Sequence, residues 1–175
     1  QIGTVYFERD HVPFRYHNDP DKTAEAANPQ HPTWTTIGDI GYQDDEGFLY
    51  LTDRKAFMII SGGVNIYPQE IEGVLALHPK VADVAVIGIP DPDLGEQVKA
   101  VVQPAAGAVP GVDLAAEITA YLRTRIAGYK VPRSVDFISE LPRTPTGKLV
   151  KGPLRDRYIA AARQLASEKD HPWSD

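Results

Sequence analysis

The rhythm of apolar and polar positions changes near residue 57. Before it, "TVYFE" (4–8) alternates apolar with polar residues, and the turn signal "DDEG" (44–47) leads into a strand, "FLYLTD". Between them, "HNDPDKTAEAANPQHP" is rich in Pro, Asn and Asp, and predicts loop with one helical turn at 21–27. A further strand, "FMIIS" (57–61), follows after "RKA"; it is expected to pair with "FLYLTD" as a hairpin-like unit bending at Arg54 to Phe57. Beyond it, helical and extended patterns take turns. "PQEIEGVLALHP" predicts a helix opened by Pro68 and stopped by Pro79, with Ile71, Val74, Leu75 and His78 at helical spacing. "VADVAVIGIP" is a nearly unbroken apolar run, the mark of a strand buried on both faces, and "EQVKAVVQP" and "SVDFIS" predict two more strands. "DLAAEITAYLRTRIAG" predicts a helix with Asp113 as N-cap and Leu114, Ile118, Tyr121 and Leu122 on one face. "PLRDRYIAAARQLASE" predicts the last helix, with Leu154, Tyr158, Ala161 and Leu165 on one stripe, and the tail after Lys169 is expected to fray.

The pattern therefore predicts an α+β architecture: a small domain with about a three-stranded sheet flanked by helices plus a β-hairpin, preceded by a β-rich segment. The 175 residues suit one domain, or a domain plus a piece of another. The opening "QIGTVYF" has neither an initiator Met nor a signal-peptide pattern; it reads as the middle of a fold, and a fragment is expected. No run approaches a membrane span. With no cysteine, a disulfide framework and a thiolate metal site are both excluded, and the five histidines show no ligand spacing.

Charge adds one asymmetry. Residues 1–53 carry ten Asp/Glu against three Lys/Arg, whereas 123–169 carry eleven Lys/Arg against four Asp/Glu. A locally basic face on a chain of net charge −6 fits a small anionic ligand better than nucleic acid, although taken alone a solvated face explains it better.

Three short stretches are candidates for chemistry. "LPRTPTGKLVKGPLR" (141–155) puts Lys148 after Gly147 on an approach stiffened by Pro142 and Pro145. It lacks the glycine spacing and the following Ser or Thr of a phosphate loop, so Lys148 acts as a point charge or merely belongs to a surface turn. "SGGVN" (61–65) pairs Gly62 with Gly63 between a strand and a helix, where a ligand could approach backbone or the chain could simply turn. "IGDIG" (37–41) sets Asp39 between two glycines, able to accept from a sugar diol or to cap a turn. None is specific alone.

Their order is specific. The stretches "TTIGDIGYQDDEGFLYLTDRKAFMIISGGVNIYPQEIEGVLALHPKVADVAVIGIPD" and "GYKVPRSVDFISELPRTPTGKLVK" closely resemble the C-terminal part of the adenylate-forming superfamily, which includes acyl-CoA synthetases, peptide-synthetase adenylation domains and beetle luciferases. The resemblance runs from about Gly3 to Tyr158 and is nearest to fatty or aryl acid–CoA ligases. It implies that residues 1–53 are the edge of a large N-terminal adenylation domain, 54–57 a hinge and 58–175 a C-terminal lid. It further implies that Asp39 holds the ATP ribose hydroxyls, and that Arg54 contacts the ribose or a nearby phosphate. Lys148 would reach the carboxylate and α-phosphate, Gly62 and Gly63 would line the pantetheine tunnel, and Tyr129 and Lys130 would lie near CoA.

The implied reaction joins a carboxylic acid, fatty or aryl, to ATP as acyl-AMP and then to CoA. Mg²⁺ ligands, the phosphate loop and the acyl pocket are expected in the N-terminal domain. The expected partners are the acid, ATP, CoA and that domain, with no nucleic acid and no transmembrane segment, in the cytoplasm or peripheral to a membrane. Two alternatives are delivery of the acyl group to a carrier protein and a non-catalytic α+β interaction module. Two positions depart from the superfamily pattern: Ile37 stands where Thr is usual before Gly38-Asp39, and Ala56 stands at the hinge, where Asp or Lys is usual. Ala can absorb a backbone rotation, but it offers no charge to favour either state.

Overall fold

The computed structural model describes residues 2–169; in the last helix, side chains are described to Ala161. Two compact units divide between Ala56 and Phe57.

The first unit is a three-stranded antiparallel sheet of β1 (Gly3–Thr4), β2 (Asp39–Gln43) and β3 (Leu49–Arg54), in the order β1-β2-β3. The short helix α1 (Pro20–Glu25) fills the expected helical turn; the Asp19 side chain caps it by accepting from Lys22 N–H at 2.9 Å. Gly41 is required where it stands, because a β-carbon there would lie 2.5 Å from the Tyr50 carbonyl oxygen. The buried residues of this unit include Ala26, Thr35, Thr36, Ile40 and Asp53, whereas Phe48, Leu49, Tyr50 and Leu51 are exposed.

"FLYLTD" therefore pairs with Asp39–Gln43 and not with "FMIIS". The expected bend is a single 3₁₀ turn, Lys55–Phe57. The strand that follows, β4 (Ile59–Ser61), pairs instead with β5 (Val64–Ile66) through the two-residue loop Gly62-Gly63. Both glycines have positive φ, 56° and 79°, which a tight two-residue hairpin demands and ordinary side chains resist. The pair thus opens onto a second strand, and the helix comes only after it.

The second unit is built on a five-stranded sheet. β6 (Val81–Asp91) and β7 (Gly95–Pro104) form its long antiparallel pair. β8 (Ser134–Phe137) joins β7 in parallel along Lys99–Val102, and β4 meets β7 at Ser61–Gly95, so the hairpin and the three predicted strands share one sheet. Helices α2 (Pro68–Leu75) and α3 (Val112–Arg123) cover one face, on which Ile59, Ile66, Ile71, Leu75, Val86, Val102, Ile118 and Leu122 form the core. Helix α4 (Lys151–Lys169) covers the other through Leu154, packed with Ala85, Ile87, Val101 and Leu141. From Val84 to Ile87, past the register shift that follows Val81, even positions of β6 face one helical layer and odd positions the other, which explains the unbroken apolar run. Burying each such Ile or Leu contributes roughly 1.5–3 kcal/mol.

Helix ends differ from the sequence pattern at two places. α2 stops at Leu75, because Pro79 disfavours helical geometry at His78 and the chain turns beforehand; His78 is nevertheless buried, edge-on to Tyr121. α3 begins at Val112 after Gly111, so Asp113 lies in the first turn, where its charge complements the helix terminus without capping it. Leu165 and the tail after Lys169 fall outside the described side chains and residues respectively.

Candidate functional site

Three separate places hold the residues singled out in the sequence. In the first unit, Asp39 and Arg54 are register partners at the end of the β2–β3 ladder. Arg54 Nε meets Asp39 Oδ1 at 2.7 Å and its Nη1 donates to the Ile37 carbonyl at 3.0 Å. Asp39 is only 13% exposed in its side chain, and Oδ2 has no protein partner among the described residues. The carboxylate is thus oriented by a cation while one oxygen remains able to accept. Beside it, a cavity of about 390 Å³ is lined by Tyr16, Lys22, Thr36, Gly38, Lys55 and Ala56, among others. Ile37 is exposed at the same turn.

In the second unit, the Gly62 hairpin tip and the 3₁₀ turn Gly128–Lys130 border one cavity of about 700 Å³. Tyr129 lines it and is largely exposed. Lys130 does not line it; its ammonium is held by both carboxylate oxygens of Glu70, at 2.7 and 2.6 Å. Two cations that sequence reasoning did not single out, Arg123 and Arg133, do line this cavity. The excess of Lys/Arg over 123–169 was their only signal, because α3 and the segment before β8 converge here through the fold alone.

Lys148 lies on a third feature, a small closed hairpin. The Gly147 N–H donates to the Thr144 carbonyl and the Thr144 N–H to the Lys148 carbonyl, both at 2.8 Å; the Lys148 N–H donates to Thr144 Oγ1 at 3.0 Å. Pro145 holds the second position of this turn and Gly147 the left-handed one, with φ of 84°. The side chain of Lys148 is exposed, and its ammonium has no partner among the described residues. Lys151, three residues on, is the opposite case. It is buried, its Nζ lies 2.7 Å from Glu72 Oε1 and 5.4 Å from the Phe57 ring centre, and the same Glu72 oxygen accepts from Val86 N–H at 2.6 Å.

Among the described residues, no three His, Asp or Glu side chains gather to hold a metal ion. The ionisation of Tyr158 is strongly displaced. Burial, reinforced by the charge of Asp136 and a hydrogen bond to it, pushes the phenol up to about 12.

Residues 70–148 match the family described as the AMP-binding enzyme C-terminal domain. The chain is 45% identical over 156 residues to a feruloyl-CoA synthase of an Amycolatopsis species, covering 89% of this chain and 30% of that protein. It is 44% identical over 158 residues to a long-chain-fatty-acid–CoA ligase of Mycobacterium tuberculosis, covering 90% and 30% respectively. The ATP-bound crystal structure of MatB from Rhodopseudomonas palustris superposes with a TM-score of 0.80 at 33% identity, over 92% of this chain and 31% of that one. The chain thus spans about 30% of the length of the curated relatives it matches.

Proposed function

We propose that this chain is the C-terminal portion of an AMP-forming acid–CoA ligase, with residues 1–53 at the edge of its adenylation domain, 54–57 as hinge and 58–175 as lid. The observation that carries this reading is the Lys148 ammonium, presented unpaired at the tip of a closed hairpin. Relatives named for CoA ligation and a neighbour crystallised with ATP supply the reaction class.

In the first half-reaction a carboxylate oxygen attacks the α-phosphorus of ATP and the bond to pyrophosphate breaks. Negative charge gathers on the phosphoryl oxygens, and a positioned cation lowers the barrier. Lys148 supplies that cation. Asp39 accepts from the ribose hydroxyls through the oxygen that Arg54 leaves open. In the second half-reaction a thiol sulfur attacks the acyl carbon and AMP departs. This chain has no cysteine, so CoA brings the thiol. Its pantetheine arm passes the Gly62-Gly63 turn, and Tyr129 stands where the nucleotide end would lie. The cations Arg123 and Arg133 around that cavity suit the nucleotide phosphates of CoA, whereas a carrier protein would call for an apolar docking patch.

In the complete polypeptide, Lys148→Ala is expected to lower acid-dependent ATP–pyrophosphate exchange by about 10²–10³ while keeping thioester formation from supplied acyl-AMP. Gly63→Leu, forced to φ near 79°, is expected to show the reverse. If neither variant loses either step, the assigned roles are wrong.

A further inference from the structure

The peptide that precedes Lys148 is held by the guanidinium of Arg143. The Arg143 Nη1 donates to the Gly147 carbonyl at 2.5 Å, and Nη2 is paired with the Asp83 carboxylate on β6. Gly147 immediately precedes Lys148 and holds the left-handed φ on which the hairpin turns. One guanidinium therefore ties the pivot peptide of the lysine loop to the central sheet. The Arg143 and Asp83 side chains are 43% and 28% exposed, so the pair contributes little to folding. Its geometry is nonetheless specific: two donors of a planar fork engage two acceptors on different elements, which a lysine cannot reproduce.

We infer that Arg143 is a positioning residue for Lys148, with Asp83 as its anchor. This deepens the reading of Lys148 as the adenylation lysine and rests on it. An amine that acts only as charge develops is sensitive to small displacements, because the benefit of a preset orientation is lost before binding is. Without Arg143 the turn keeps its main-chain hydrogen bonds but loses its tie to β6, and the ammonium samples a wider arc. Arg143 reaches the reaction through Lys148 and touches no substrate.

The test uses the complete polypeptide and both half-reactions. Arg143→Ala is expected to lower kcat for ATP–pyrophosphate exchange about ten- to a hundredfold with little change in KM for ATP, and to leave thioester formation from acyl-AMP intact. Asp83→Asn is expected to lose in the same direction, and Arg143→Lys to fall between. In a Lys148→Ala background, Arg143→Ala should cost nothing further. If Lys148→Ala abolishes exchange while Arg143→Ala retains the full kcat, the inference fails and the lysine assignment stands. Equal losses in both half-reactions, or additive losses in the double variant, would mean a merely structural role and also overturn it. If Lys148→Ala itself exchanges normally, the underlying reading has failed. Should Arg143→Ala not fold, Arg143→Lys and Asp83→Asn decide by the same criteria.

Discussion

Single residues divide here by what surrounds them more than by what they are. Lys99 is buried, yet its ammonium reaches Asp136 at 2.9 Å and Ser134 Oγ at 3.1 Å and stands 4.9 Å from the Tyr158 ring centre. Tyr158 shares that cluster, and its burial beside Asp136 favours the protonated phenol. The sign of the linkage follows. A folded-state pKa of about 12 exceeds the ordinary value of 10.0, so the stabilisation from this group is full below about pH 10. It is lost as pH rises through about 12. Among the eight tyrosines, absorbance titration at alkaline pH should show one phenol ionising near 12, absent in Tyr158→Phe. Between pH 10 and 12 the unfolding free energy should fall more steeply in the parent chain than in that variant.

At the scale of elements, buried charge fastens the second unit together. Glu72 on α2 accepts from the backbone of β6 and pairs with Lys151 at the start of α4, so one carboxylate oxygen joins three elements. Arg155, one turn along, donates to the Gly88 carbonyl at 3.1 Å and to Glu96 at 2.5 Å. The lysine hairpin thus hangs between Arg143 at its entry and Lys151 at its exit. Removing one member of a buried pair strands the other charge: Glu72→Ala is expected to destabilise the chain by about 3 kcal/mol in urea unfolding. Replacing both, as Glu72→Gln with Lys151→Met, should recover most of that loss, because no charge is then left in an apolar site and the amide oxygen still accepts from Val86 N–H. Equal losses in the single and double variants would show that packing of the aliphatic stems dominates. The elements themselves were mostly legible in the sequence. β6 and β7 and the apolar faces of α2 and α3 follow from local periodicity. The partner of "FLYLTD" did not follow, because strand pairing depends on where the chain returns, and the Gly62-Gly63 hairpin satisfied "FMIIS" first.

For the whole molecule, the two units differ in how far each can sustain itself. The second has a core on both faces of a five-stranded sheet, whereas the first buries few apolar residues and leaves one run of β3 exposed. A unit of that size with a three-stranded sheet is marginal in isolation. Residues 57–175 expressed alone should therefore unfold cooperatively on heating, and residues 1–56 alone should not. In the 175-residue chain, amide exchange should be slowest in β6 and β7 and fast throughout β2 and β3. A cooperative transition from residues 1–56 alone would contradict this. The sequence by itself determined the α+β class, the succession of helices and strands from α2 to α4, and the family resemblance carried by "IGDIG", "SGGVN" and "TPTGK", because periodicity, turn chemistry and short motifs are properties of neighbouring residues. It also contained two lysines, 148 and 151, in one short stretch, with nothing local to separate their environments. Only the tertiary structure buried one against Glu72 and left the other exposed, and only it brought Arg143 to Asp83 and Arg123 to Arg133's cavity, since burial and pairing are set by elements far away along the chain.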